Sequence, residues 1–116
     1  MAAYHPPPPP RPGGAVDPQQ LRQAVAILHA LNHSLRQGII RLLTDDGARL
    51  TVTEIFTALR IEQSVASQHL AILRAARLVV PERDGKFIYY TLVADRLTHL
   101  LALVRDLSHL SDETTG

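Results

Sequence analysis

The chain has 116 residues, a formal net charge of +1, no cysteine, no tryptophan and an aromatic content of 4%. That length holds one domain with one core, and aliphatic side chains must fill it. The lack of cysteine excludes disulfides, thiolate metal sites and thiol redox sensing. No apolar run reaches the length of a membrane span, and the charge is not by itself a strong nucleic-acid signature.

The N-terminus lacks the apolar stretch of a signal peptide, so the expected compartment is the cytoplasm. Residues 1–16 contain Pro6 to Pro10 in a row, then Arg11, Pro12, Gly13 and Gly14. Such a run makes no backbone ladder and reads as an extended or disordered tail rather than a ligand for a proline-recognising partner. The folded domain is expected over 17–110, with a second frayed end at 111–116.

Asp17-Pro18-Gln19-Gln20 is a helix start, with a capping carboxylate, proline at the first helical position and Gln three residues after the cap. Leu21, Ala24, Val25, Leu28 and Leu31 follow at helical spacing. Asn32 is expected to end this helix and cap the next, which runs from about His33 to Thr44 with Leu35, Ile39, Leu42 and Leu43 on one face. Asp45-Asp46-Gly47 breaks it. Thr51-Val-Thr-Glu54 is a capping box for a short helix to about Leu59.

A turn at Arg60 to Glu62 leads to Gln63–Leu73, Gln-Ser-Val-Ala-Ser-Gln-His-Leu-Ala-Ile-Leu. One side of this segment is short and polar (Gln63, Ser64, Ser67, Gln68), and the other is apolar (Val65, Ala66, Leu70, Leu73). Small uncharged donors and acceptors suit a face that enters a DNA groove and reads base edges. An ordinary surface helix carries Glu and Lys pairs instead. Two short helices joined by a tight turn, the second polar outside, make a helix-turn-helix.

Leu78-Val79-Val80 and Phe87-Ile-Tyr-Tyr-Thr91 read as strands, with Asp84-Gly85 as the hairpin signal between them. A final helix from about Val93 to Leu110 carries Leu97, Leu100, Leu101, Val104 and Leu107, with Leu103 and Leu110 beside them. That stripe is wide enough to cover the core on one side and a partner subunit on the other. The expected dimer interface is Leu21, Val25, Leu28, Leu100, Leu103 and Leu107. Between Arg49 and Thr91 six basic residues (Arg49, Arg60, Arg74, Arg77, Arg83, Lys86) face four acidic ones (Glu54, Glu62, Glu82, Asp84). A dimer on DNA would have to pool this modest field.

Three segments carry a family resemblance: Leu31-Asn-His-Ser-Leu-Arg36, Ser64-Val-Ala-Ser-Gln-His-Leu70 with Leu73, and Arg83-Asp-Gly-Lys86 with Tyr89-Tyr90. In this order and spacing the chain from about Leu21 to Leu110 resembles the winged-helix repressors of the ArsR/SmtB type. The first segment is similar to that family's L-x-H-P-x-R opening of the second helix, the second to its recognition helix, the third to its wing. Ser34 stands where the family often has Pro, and Arg77 where it often has Gly. A left-handed stop at Arg77 would cost about 1 kcal/mol.

The resemblance implies a mainly α fold with a small β-hairpin: a winged helix-turn-helix of about five helices and a two-stranded wing, working as a dimer. It implies no enzyme but a sequence-specific regulator of transcription, a homodimeric repressor on double-stranded DNA. Helix 63–75 would lie in the major groove of a near-palindromic operator, and wing 81–88 on the backbone or minor groove. Gln63, Ser64, Ser67, Gln68 and His69 are the base-reading candidates, His69 being equally able to pack inward. Thr53, Arg74, Arg83 and Lys86 are the backbone candidates. The rival reading is a winged helix that docks on proteins.

The family's metal site on the last helix has Asp-x-His near its start and His-x-x-His/Glu near its end. Here Arg96 follows Asp95, and Leu97 stands where the first His belongs. A shifted set remains: Asp95 and His99 of one subunit with His109 and Glu113 of the other, for zinc or nickel. The bland reading makes these residues solvated helix ends.

Overall fold

A computed structural model describes residues 17–45 and 48–114, the side chains of 109–114 excepted. The proline-rich tail and Asp46-Gly47 lie outside the described residues. Five helices and three short strands follow in the order α1 (Pro18–Leu31), α2 (Ser34–Thr44), β1 (Leu50–Thr51), α3 (Val52–Leu59), α4 (Gln63–Ala75), β2 (Val79–Asp84), β3 (Phe87–Leu92) and α5 (Ala94–Thr114).

The caps explain most of the boundaries. The Asp17 carboxylate accepts the Gln19 N–H at 3.0 Å, and Pro18 takes the first helical position. Thr51 and Glu54 form the expected capping box: Thr51 Oγ1 accepts the Glu54 N–H at 3.2 Å, and Glu54 accepts the Thr51 N–H at 3.0 Å. Asn32 ends α1, but it does not cap α2. That cap is His33, whose Nδ1 accepts the Leu35 N–H at 3.1 Å. A neutral imidazole nitrogen does here what a Ser or Asn oxygen does elsewhere. At the other end of the chain, α5 continues to Thr114. Ser111 to Thr114, expected to fray, are helical, and no proline or glycine interrupts them.

Two helices stop on left-handed arginines. Past α4, Arg77 has φ 59°, the Leu78 N–H reaches the Leu73 carbonyl and the Arg77 N–H the Arg74 carbonyl. This is a Schellman stop with arginine at the position glycine occupies without strain. Arg60, at φ 56°, ends α3 in the same way.

The wing is one strand wider than expected. The sheet order is β1-β3-β2, all antiparallel, with Thr51 opposite Tyr89 and Asp84 opposite Phe87. Gly85, at φ 62°, is the first of two turn residues, the place where a type II′ hairpin turn needs glycine. Pro81 is tolerated because β2 is an edge strand.

Ile39, Leu43, Ile55, Leu70, Leu73, Leu78 and Val79 are fully buried, so α2, α3, α4 and the root of β2 share one core. Gly38 permits the tight approach of α2 and α3: a Cβ there would sit 3.2 Å from Leu59 Cδ2. Ala24, Ile27 and Ala30 of α1 and Leu100 of α5 close the core from the other side. Leu100, expected at a dimer interface, is therefore a core residue of the single chain, and half-buried Leu103 packs against the same cluster. Of the α5 residues expected at the interface only Leu107 is among the exposed ones, and Leu101 and Val104 are exposed with it. Among the described residues no helix is long and apolar enough to cross a membrane.

Candidate nucleic-acid interface

Helix α4 turns one stripe inward and one outward. Ala66, His69, Leu70 and Leu73 are buried, while Gln63, Ser64, Ser67, Gln68 and Arg74 are exposed. Among the described residues the side chains of Gln63, Ser64, Ser67 and Gln68 form no hydrogen bond with the rest of the chain. Their donors and acceptors stay available to an external partner. Thr53 is exposed in the first turn of α3.

His69 does not belong to that outward face. It is 9% exposed, its Nδ1 lies 3.2 Å from Arg36 Nη1, and its ring sits 4.4 Å from the ring of His33. Spacing carried the signal: His69 is three residues after Ala66 and four before Leu73, on the buried stripe. Since guanidinium only donates, Nδ1 must accept, which leaves the proton of the neutral ring on Nε2. Burial, then the positive potential of His33 and Arg36, lowers the His69 pKa below 6.5.

That shift has a sign. The unfolded chain binds the His69 proton more readily than the folded one, so stability is full above pH 6.5 and falls as pH drops through that value toward the folded pKa. Urea midpoints taken at about pH 7.5 and about pH 5.5 are expected to fall for the native chain, and to fall less for His69→Gln. An equal fall in both would remove His69 as the cause.

Arg36 is the other buried polar side chain among the described residues, at 7% exposure. Its Nε–H donates to the Ala30 carbonyl and its Nη2–H to the His29 carbonyl at 3.4 Å. It therefore joins the last turn of α1 to α2 and, through His69, to α4. Residue patterning alone does not single it out, because its partner on α4 is 33 positions away.

The wing tip presents Arg83 and Lys86, both exposed. Its own acid is already occupied: Asp84 Oδ2 accepts from Arg49 Nη2 at 2.8 Å, and the Arg49 guanidinium lies 4.1 Å from the centre of the Tyr89 ring. The hydrogen bond to Asp84 raises the Arg49 pKa. This contact ties the chain before β1 to the hairpin and leaves the tip cations the freer ones. Arg49 was not among the expected site residues, and a partner 35 positions away gives no local signal.

The expected metal residues are only partly placed. Asp95 and His99 are exposed and four apart at the start of α5. The side chains of His109 and Glu113 lie outside those described. Among the described residues no group of three or more His, Cys, Asp or Glu side chains gathers. Two donors are half a zinc shell, so the described part of one chain does not fit the metal by itself.

A helix-turn-helix (α3 and α4), a hairpin beside it and a helix on either flank define a winged helix-turn-helix protein. The model of the family described as bacterial regulatory protein, arsR family, matches residues 33–80. The chain is 35% identical over 96 residues to the HTH-type transcriptional repressor SmtB of Mycobacterium tuberculosis, covering 83% of this chain and 64% of that protein's length. It is 33% identical over 85 residues to the transcriptional activator HlyU of Vibrio cholerae, covering 73% of this chain and 77% of that one. An ArsR-like transcriptional regulator from Rhodococcus sp. RHA1 superposes with a TM-score of 0.76 at 20% identity, covering 84% of this chain and 90% of that one, a likeness of fold. The protein belongs to the arsR family, a family of regulatory proteins rather than enzymes.

Proposed function

We propose that the protein is a sequence-specific DNA-binding regulator of transcription that works as a homodimer on a near-palindromic site, as a repressor. The observation that carries this reading is the outward face of α4: four exposed polar side chains with no hydrogen-bond partner among the described residues, next to a hairpin tipped by two cations. In this reading Gln68 and Gln63 pair with base edges such as adenine, and Ser64 and Ser67 serve several bases. Thr53, Arg74, Arg83 and Lys86 hold phosphates, and Arg83 also suits a narrow minor groove. His69 drops out of the base-reading set and positions the helix instead.

The dimer surface in this proposal is the exposed apolar band of Leu21, Val25 and Leu28 on α1 with Leu101, Val104 and Leu107 on α5. A band of this kind is what an isologous interface covers. Pairing would set two α4 helices about one DNA turn apart, roughly 34 Å.

Two variants separate base reading from phosphate binding. Gln68→Ala is expected to relax preference at one base position by about 1–3 kcal/mol. Lys86→Ala is expected to weaken all sequences alike and lower the salt slope by about one. Unchanged binding in both would sink the proposal. A shifted zinc or nickel site would draw Asp95 and His99 from one subunit and the α5 end, with His109 and Glu113, from the other. Equal operator affinity with zinc, nickel and a chelator removes it.

A further inference from the structure

The first turns of α1 and α5 and the end of α4 border a polar hollow of about 430 Å³. That is a volume suited to a small ligand. Gln19, Arg22 and Gln23 of α1, Arg77 just past α4 and Arg96 of α5 supply its polar lining. Three guanidiniums thus line one hollow, yet none has an acidic partner. The one ion pair among the described residues is Arg49–Asp84, on the wing.

One further observation bears on Arg96. Arg96 donates from Nη2 to the Ala76 carbonyl at 3.0 Å, but its Nε is buried and has no acceptor among the described residues. A buried cationic N–H without a partner is a rarity that calls for an acceptor. Arg77 holds a left-handed backbone conformation that glycine would adopt without strain. Arg60 shares this conformation at the end of α3, so it belongs to the helix stop and leaves the Arg77 side chain free to vary.

We propose that this hollow binds a small organic polyanion, a di- or tricarboxylate or a phosphate ester. Its oxygens would take the forked donors of Arg22, Arg77 and Arg96, with the Gln19 and Gln23 amides at the rim. A DNA phosphate is the less suitable occupant. The hollow lies at the C-terminal end of α4, roughly 12 Å along the helix axis from Gln68. The ligand would touch α1, α5 and the stop of α4 together, so its binding would shift the setting of α4 (a consequence that rests on the DNA reading above).

The test is calorimetric titration of the full chain with citrate, with inorganic phosphate and with glycerol, all at one ionic strength. Saturable binding of citrate or phosphate at one per chain, and none of glycerol, is expected. Citrate alone assigns a carboxylate ligand, phosphate alone a phosphate ester. Arg22→Gln and Arg77→Gly are each expected to weaken that binding at least tenfold, and Arg41→Gln, an exposed cation on α2, to leave it unchanged. Arg77→Gly removes the guanidinium and the backbone strain together, so its loss of binding is not a loss of fold. The proposal is overturned if neither anion saturates below about 1 mM, or if Arg41→Gln weakens binding as much as the other two. It is also overturned if the two variants leave the anion titration unchanged and, in a separate duplex titration, lower the salt slope, which would make the cluster a DNA phosphate contact. No DNA enters the anion titration, so its failure and that of the DNA reading are told apart.

Discussion

Arg36→Leu is expected to lower the free energy of unfolding by about 3 kcal/mol, one of the largest losses from a single substitution in this chain. The last carbonyls of α1 have no partner within their own helix. Arg36 donates to two of them, those of His29 and Ala30, and its third arm reaches His69. Its positive charge also sits against the negative end of the α1 dipole. Leucine replaces the apolar stem but leaves the Ala30 carbonyl and His69 Nδ1 without their donor in a buried place, while the His29 carbonyl keeps the Asn32 N–H. Arg36→Lys keeps the charge and loses the fork, so an intermediate loss is expected. Urea unfolding checks both, and a loss below about 1 kcal/mol for Arg36→Leu would contradict the clamp. Because the clamp ends on α4, the same variant is expected to weaken DNA binding beyond the unfolded fraction.

The pair Val25→Asp and Leu101→Asp is expected to give a folded monomer with operator affinity reduced at least 100-fold. Val25 is 57% exposed and Leu101 63% exposed, so neither charge enters the core of the single chain. Each would enter the proposed interface, where unpaired carboxylates lose their hydration without compensation. A dimer binds its second half-site at the effective concentration set by the first, and a monomer forfeits that gain. Sedimentation gives the mass and a titration with duplex DNA gives the affinity. A variant that stays dimeric would place the interface elsewhere. One that is monomeric but binds as tightly as the native chain would remove the dimer from the recognition scheme.

Most of what positions the site was legible because it is local. The Thr51–Glu54 box, the Asp17-Pro18 start and the Gly85 turn each act within four residues, and each stands where their chemistry requires. The outward and inward stripes of α4 follow from its 3.6-residue period. What escaped is non-local. Strand β1 is two residues long and exists only because Leu50 and Thr51 pair with Tyr90 and Tyr89. Arg36 meets His69, and Arg49 meets Asp84, across more than thirty positions. His69 stands among the expected readers with inward packing as an equal alternative, and its spacing, which sets it with Ala66, Leu70 and Leu73, decides for the core. His33 capping α2 replaced an expectation that rested on Asn32 as the stronger capping residue type. Leu100 and Leu101 are neighbours on a helix apolar on two sides, and sequence alone did not decide which one faces the core.

The most direct test of the central claim is equilibrium binding of the native chain, over a series of salt concentrations, to the DNA upstream of its own gene and to an unrelated duplex. The account predicts binding to the first at least about a thousandfold tighter at physiological salt, with affinity for both falling steeply as salt rises. Equal affinity for the two duplexes, or no binding to either, would contradict it.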